Sequence, residues 1–124
     1  MKEAICGKFK RENGLDYKRE QINVSPGGKP VIFNAWMATL NPGDEVIIPA
    51  PYWVSYPEMI KMVYGIPVIV TPEDGGFYPR MNEVERAVSS YTKAIIVNSP
   101  NNPSGVMYPA EFIAEIVEFC ERKG

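Results

Sequence analysis

The sequence predicts an α/β protein with three layers, in which helices cover both faces of a mostly parallel sheet. The first observation behind this is the composition: 45% of the 124 residues are hydrophobic and 23% are charged, as in ordinary globular domains. The second is a set of four short apolar segments with little polar alternation, which is typical of parallel strands buried on both faces. The third is that helical patterns separate these segments, so that helix and strand alternate along a chain of one domain's length.

Turn residues separate the predicted elements. Residues 2–13 carry an apolar stripe at helical spacing, and Gly14 follows as a stop signal. The further predicted helices are 29–40, 54–64, 82–89 and 109–123, and the predicted strands are 21–25, 45–49, 67–71 and 93–97. Pro30 fits the first turn of the second helix, because a backbone N–H has no partner within the helix there.

Composition and charge exclude several classes of function. The chain has no histidine, which excludes a histidine base, a histidine metal ligand and a catalytic triad. The net charge of −2 gives no electrostatic reason to expect nucleic acid or an anionic membrane as a partner. Cys6 and Cys120 lie far apart and are expected to be reduced thiols, with no metal site. Without an apolar run of about 18 residues or a signal-peptide core, a soluble cytoplasmic protein is expected.

The 12 prolines are about twice the usual ~5%, and most fall at corners between predicted elements. In an open α/β sheet, ligands bind beyond the carboxyl ends of the strands. Three loops are predicted at such ends, at 25–29, 49–53 and 98–105. These loops are therefore the candidate binding segments.

The first loop, Ser25-Pro-Gly-Gly-Lys29, leads into a predicted helix. Its glycines allow a ligand close to the backbone, and a helix N-terminus attracts anions, so the segment suits a phosphate. It matches neither a P-loop nor a dinucleotide-binding motif. A tight turn without a ligand is the open alternative.

The other two loops carry aromatic and amide side chains. Trp53 has the planar ring for stacking on another ring, although packing in the core is the alternative. The segment Asn98-Ser-Pro-Asn-Asn-Pro-Ser-Gly105 combines three amides with two prolines that rigidify it. A solvated loop is the alternative, but the paired asparagines between prolines favour a binding role. No pair of carboxylates suggests a general acid and base.

Taken together, four motifs resemble those of the fold-type I aminotransferases that use pyridoxal 5′-phosphate, and among these the bacterial aspartate aminotransferases. Two of the motifs are the first and third loops described above. The other two are Asn41-Pro-Gly-Asp-Glu-Val46 and Pro51-Tyr-Trp-Val-Ser-Tyr-Pro57. All four occur in the order of that family and near its spacing, so the resemblance covers essentially the whole chain.

The resemblance implies a role for each matching residue. The backbone N–H groups of Gly27, Gly28 and Lys29 would hold the cofactor phosphate. Trp53 would lie against the pyridine ring, and Asn102 would bond to the phenolic oxygen of that ring. Trp53 and Asn102 would also contact the substrate. Amino acids and 2-oxo acids are the implied substrates, with an aspartate-like amino acid as donor, and a homodimer is the implied assembly.

The resemblance also implies residues for which these 124 positions offer no match. They include the catalytic lysine that holds the cofactor as a Schiff base, the aspartate beside the pyridine nitrogen and the small domain. We therefore expect residues 1–124 to be a fragment, a partial cofactor-binding large domain that does not transaminate alone. Two alternatives remain: half of a split enzyme active with a complementing chain, and a small α/β module that binds phosphate ligands. Aspartate, aromatic amino acid and prephenate aminotransferases share these motifs, which leaves the substrate open.

Overall fold

Three parallel strands organise the larger part of the chain, and the strand that comes first in the sequence lies between the other two. The computed structural model describes residues 1–123, which divide into a unit at Met1–Ala35 and a unit that begins at Trp36. The helices are α1 (Lys2–Asn13), α2 (Gly28–Thr39), α3 (Ser55–Met62), α4 (Met81–Ala87) and α5 (Ala110–Lys123), and the strands are β1 (Glu45–Pro49), β2 (Ile66–Val70) and β3 (Thr92–Ile95). None of the described helices is long and apolar enough to span a membrane.

Helices cover both faces of this sheet. Ile47 of the central strand belongs to a buried cluster with Val84 of α4 and Ile116 of α5. Its neighbours Val46 and Ile48 point to the opposite face, because side chains alternate along a strand, and both are fully buried. Helix α3 packs against β1 and β2 and contributes nothing to the first cluster, so it covers this second face. The predicted three-layer α/β fold is confirmed.

The predicted strand at 21–25 is wrong. The structure has a short 3-10 turn at Arg19–Gln21, and residues 21–25 pair with no strand in the described chain. The Gln21 side chain turns back and accepts the backbone N–H of Lys18 at 2.9 Å. A β-branched segment becomes a strand only where a neighbour supplies the hydrogen-bond ladder, and here a local turn competes for the backbone. The sheet therefore has three strands, and the 25–29 loop follows an irregular segment.

The other predicted elements are confirmed to within two residues at each end, and β1 matches at both ends. Helix α5 differs in its buried face. Phe112 and Ile116 are buried as expected, but Val117 is 50% exposed and Cys120 is also exposed. The helix rests on α4 and the sheet along a narrow stripe, so the apolar residues beside that stripe remain accessible.

The turn between α3 and β2 holds Tyr64 in a left-handed backbone conformation, with φ 62°. The Tyr64 carbonyl accepts the N–H of Gly43 at 2.9 Å, which fixes the turn. Gly65 follows in a tight space, where an added Cβ would lie 2.9 Å from Ile60 Cγ2 and 3.3 Å from the Asp44 carbonyl oxygen. The backbone conformation of Tyr64 is therefore imposed by its neighbours.

Replacing Tyr64 with glycine is expected to raise the free energy of unfolding by about 0.5–1 kcal/mol. Glycine adopts a positive φ without the Cβ clash, and its greater flexibility in the unfolded chain offsets part of the gain. Tyr64→Ala is the matched control, because it removes the same exposed ring but keeps the Cβ. Urea unfolding of both variants measures the difference, and an equal gain in the two would contradict the explanation from φ.

The carboxylate of Glu83 holds the loop between β2 and α4. Its oxygens accept the backbone N–H of Glu73, at 2.7 Å, and that of Arg80. Glu83 is only 6% exposed. The pKa of its carboxyl is lowered, first by the Arg80 N–H and then by the Glu73 N–H, while burial acts in the opposite direction. The ionised carboxylate is therefore the form that the folded loop requires.

Stability is expected to fall in acid through Glu83. Because its pKa is lower in the folded chain, its contribution is present above the ordinary value of 4.5 and is lost as pH falls through the folded pKa. Glu83→Gln should have a lower free energy of unfolding at neutral pH, and that free energy should fall less as the pH is lowered. The exposed Glu85→Gln on the same helix is the control, measured by urea unfolding at several pH values. A Glu83→Gln variant whose free energy of unfolding falls as much in acid as that of the wild type would contradict this assignment.

Candidate functional site

Two loops leave the same edge of the sheet. Strand β1 runs into residues 50–54 and strand β3 into residues 96–109, and the two strands are parallel neighbours. The first loop leads to α3 on one face, and the second leads to α5 on the other. Both loops therefore lie beyond the carboxyl ends of the strands, which is where open α/β sheets bind ligands. Trp53 lies in the first of these loops and Asn102 in the second.

Asn101 joins the two loops. Its Nδ2 donates to the Pro51 carbonyl oxygen at 3.0 Å, and its Oδ1 accepts the Ser104 hydroxyl at 2.8 Å. Nδ2 also lies 3.5 Å from the hydroxyl of Tyr108. Asn101 is 6% exposed and is the buried residue of the 98–105 segment. The loops after β1 and β3 are thus tied together through one buried carboxamide.

Further hydrogen bonds fix the backbone around Asn102. The Asn98 Oδ1 accepts the N–H of Asn102 at 3.2 Å, and the Asn98 Nδ2 donates to the Pro100 carbonyl at 3.3 Å. The N–H of Gly105 donates to the Asn101 carbonyl at 2.8 Å, which closes the loop on itself. Asn102 itself is exposed. The loop therefore presents the Asn102 side chain from a backbone that is held in place.

Trp53 is half-buried and meets Tyr56 edge-on, with ring centroids 5.4 Å apart and the planes at 87°. Its indole is neither a fully buried core ring nor a fully exposed one. Tyr56 is buried, and burial raises the pKa of its hydroxyl. Burial also raises the pKa of Tyr108, although the hydrogen bond with Asn101 acts in the opposite direction. Both tyrosines therefore remain neutral at neutral pH.

The 25–29 segment lies in the unit Met1–Ala35. Gly27 has φ 102°, and helix α2 begins at the next residue, Gly28. A Cβ added at either glycine would meet no atom within 4 Å, so the surrounding space is open. Lys29 and Pro30 lie in the first turn of α2, as predicted. The open helix N-terminus, with its partial positive charge, suits an anion such as a phosphate.

The sequence did not single out Asn101. The sequence does not distinguish Asn101 from the adjacent Asn102, since both lie between the same two prolines. The carbonyl that Asn101 binds belongs to Pro51, fifty residues earlier. No metal site is predicted, and residues 1–123 contain no group of three acidic or cysteine side chains placed to hold a metal ion. The structure thus adds to the expected binding residues one that holds two loops together.

Comparison with known proteins identifies the family. The family described as aminotransferase class I and II matches residues 1–124. The chain belongs to the class I and II aminotransferases. The resemblance predicted from the four motifs is therefore confirmed.

This aminotransferase chain is similar to several bacterial proteins. A probable aspartate/prephenate aminotransferase of Thermus aquaticus is 51% identical over 121 residues, which are 97% of this chain and 32% of that protein. The crystal structure of the aspartate aminotransferase from Rhizobium meliloti superposes with a TM-score of 0.90 at 43% identity, covering 98% of this chain and 31% of that one. The Thermus thermophilus aspartate aminotransferase with maleate gives a TM-score of 0.90 at 46% identity, covering 98% and 32%. The chain thus spans about a third of the length of the relatives it matches.

Proposed function

We propose that this aminotransferase chain binds pyridoxal 5′-phosphate. The backbone N–H groups of Gly27, Gly28 and Lys29 take the phosphate, Trp53 lies against the pyridine ring, and Asn102 bonds to the phenolic oxygen. The observation that carries the proposal is the pair of loops at the carboxyl ends of β1 and β3, which carry a half-buried indole and an exposed amide and are joined by the hydrogen bonds of Asn101. Family membership and the open glycines at the start of α2 support it.

The residues present fit this cofactor, and the Gly27 N–H, which donates to the Ser25 carbonyl oxygen at 2.8 Å, would exchange that bond for one to the phosphate. When bound, pyridoxal phosphate supplies the electron sink that amino-group transfer requires. Trp53 covers one face of a planar ring and excludes water from it, as an indole edge-packed on Tyr56 is able to do. Asn102 offers a neutral donor and acceptor to an oxygen on the ring and to a substrate carboxylate. These residues bind and orient, and we assign none of them a catalytic proton transfer.

The proposed substrates are an aspartate-like amino acid and a 2-oxo acid. Two kinds of relative support this: proteins named aspartate/prephenate aminotransferase, and an aspartate aminotransferase structure with maleate, a dicarboxylate. A homodimer is also proposed, because membership in the class I and II aminotransferases implies one, and a cytoplasmic location is proposed from the sequence. Residues 1–124 are proposed to form the cofactor-binding part of the large domain and not to transaminate alone.

Binding of the cofactor is tested by calorimetric titration of the chain with pyridoxal phosphate, pyridoxal and inorganic phosphate. Pyridoxal phosphate is expected to bind more tightly than the other two. Trp53→Leu should weaken it about two- to tenfold, the effect of losing one aromatic stacking contact. Tyr91→Leu is the control, because this exposed aromatic lies just before β3, at the opposite edge of the sheet. Inorganic phosphate binding as tightly as pyridoxal phosphate would favour a general phosphate-binding module instead.

The need for a further lysine is tested by borohydride reduction with one equivalent of pyridoxal phosphate, followed by peptide mass spectrometry. Scattered, partial labelling of surface lysines is expected. Stoichiometric labelling of a single lysine would overturn the proposal that the chain does not transaminate alone. Adding a polypeptide that covers the remainder of an aspartate/prephenate aminotransferase tests complementation, with turnover of aspartate and 2-oxoglutarate as the measurement.

A further inference from the structure

Asn101 connects the two loops that carry the residues proposed to contact the cofactor ring. It immediately precedes Asn102, and the carbonyl that it binds belongs to Pro51, two residues before Trp53. The two residues that form this hydrogen bond therefore lie within two chain positions of the two proposed contacts, so a change in the bond is expected to displace both. We propose that Asn101 is a positioning residue that fixes the Trp53 indole relative to the Asn102 amide, an inference that rests on the proposed cofactor site.

The chemistry of the site suits a carboxamide. The Oδ1 of Asn101 accepts both the hydroxyl of Ser104, at 2.8 Å, and its backbone N–H, at 3.3 Å. The opposite end of the group must donate, because the Pro51 carbonyl oxygen lies 3.0 Å from Nδ2. A side chain at this position therefore needs an acceptor on one side and a donor on the other, which asparagine has and aspartate at neutral pH lacks.

Burial makes the loss of this bond costly. Asn101 is 6% exposed and Pro51 is half-buried, so removing the donor leaves the Pro51 carbonyl without that partner where water replaces it only in part. An aspartate would also bring a negative oxygen against the carbonyl oxygen. The loop after β1 would then separate from the loop after β3, while the strands beneath them remain paired.

The experiment uses the chain labelled with 5-fluorotryptophan, in which Trp36 and Trp53 are the two indoles. Fluorine NMR gives one signal for each, and Trp53→Phe assigns them. Asn101→Asp is expected to shift or broaden the Trp53 signal and leave the Trp36 signal unchanged. Asn98→Asp is the matched control, since Asn98 has hydrogen bonds to Pro100 and Asn102 within its own loop.

Two further readouts separate positioning from a general loss of structure. Asn101→Asp should bind pyridoxal phosphate about tenfold more weakly at pH 8, the usual effect of one buried hydrogen bond. Lowering the pH until the introduced carboxyl is protonated should restore the Trp53 signal, because the protonated group regains a donor for the Pro51 carbonyl. If Asn101→Asp fails to fold, hydrogen exchange of the wild-type side-chain amides decides, with exchange at Asn101 expected to be slower than at Asn102.

Three outcomes would overturn the proposal. They are an unchanged Trp53 signal in folded Asn101→Asp, equal changes in Asn101→Asp and Asn98→Asp, and equal exchange at the Asn101 and Asn102 amides. The proposed cofactor site fails separately, if the wild-type chain does not bind pyridoxal phosphate. The Trp53 signal still decides the role of Asn101 in that case, because it is measured without cofactor.

Discussion

Ile47→Ala is expected to lower the free energy of unfolding by about 2–5 kcal/mol, as truncation of a fully buried isoleucine does. Ile47 is 1% exposed at the centre of β1, and its side chain packs in a cluster to which α4 and α5 both contribute. The lost methyl groups leave a cavity between the sheet and two helices, and a central strand paired on both sides has little room to close it.

Ile69→Ala is the matched control, because Ile69 lies within β2 but is 39% exposed. It makes the same chemical change in a strand and is expected to cost about 1 kcal/mol or less. Urea unfolding followed by circular dichroism gives both values. Equal losses in the two variants would contradict the assignment of Ile47 to the centre of the core.

Gly27→Ala is expected to weaken binding of pyridoxal phosphate by about tenfold. Gly27 has φ 102°, where a residue with a Cβ is disfavoured by about 1–2 kcal/mol or more, so alanine shifts the loop away from the conformation that precedes α2. The N–H groups proposed to hold the phosphate then lose their alignment. Binding of pyridoxal, which has no phosphate, should change little.

Gly14→Ala controls for strain alone, since Gly14 ends α1 with φ 70° and an added Cβ there also meets no atom within 4 Å. It should leave the affinity for pyridoxal phosphate unchanged while stressing the backbone similarly. Calorimetric titration of both variants with both ligands is the measurement. If Gly27→Ala weakens pyridoxal and pyridoxal phosphate equally, the segment does not hold the phosphate.

Most of the fold could be predicted because local and long-range preferences agree. Strand β1 is a continuous apolar run between turn residues, and it lies between two other strands in the structure. The segment 21–25 shows where prediction from local sequence fails. Its β-branched residues have no neighbouring strand, and Gln21 closes a turn with Lys18. The β propensity describes one segment alone, whereas a strand forms only where a second strand supplies its hydrogen bonds.

The site was predictable in its loops but not in its internal connection. Glycines before a helix, an aromatic pair after a strand and an amide-rich loop are all visible as residue types at element ends. The hydrogen bond from Asn101 to Pro51 joins residues fifty positions apart, and its donor is identical in type to the neighbouring Asn102. Only three-dimensional structure distinguishes the buried asparagine from the exposed one.

The hydrogen bonds that close the 98–105 loop on itself have a thermodynamic consequence for any ligand bound there. A flexible loop loses about 1–2 kcal/mol of conformational entropy for each backbone residue that a ligand orders. Here Asn98 and Asn101, with the Ser104 hydroxyl, hold the loop through internal bonds before a ligand arrives. This preorganisation makes the entropic penalty of binding small at this loop, so that affinity there depends on the quality of the contacts themselves.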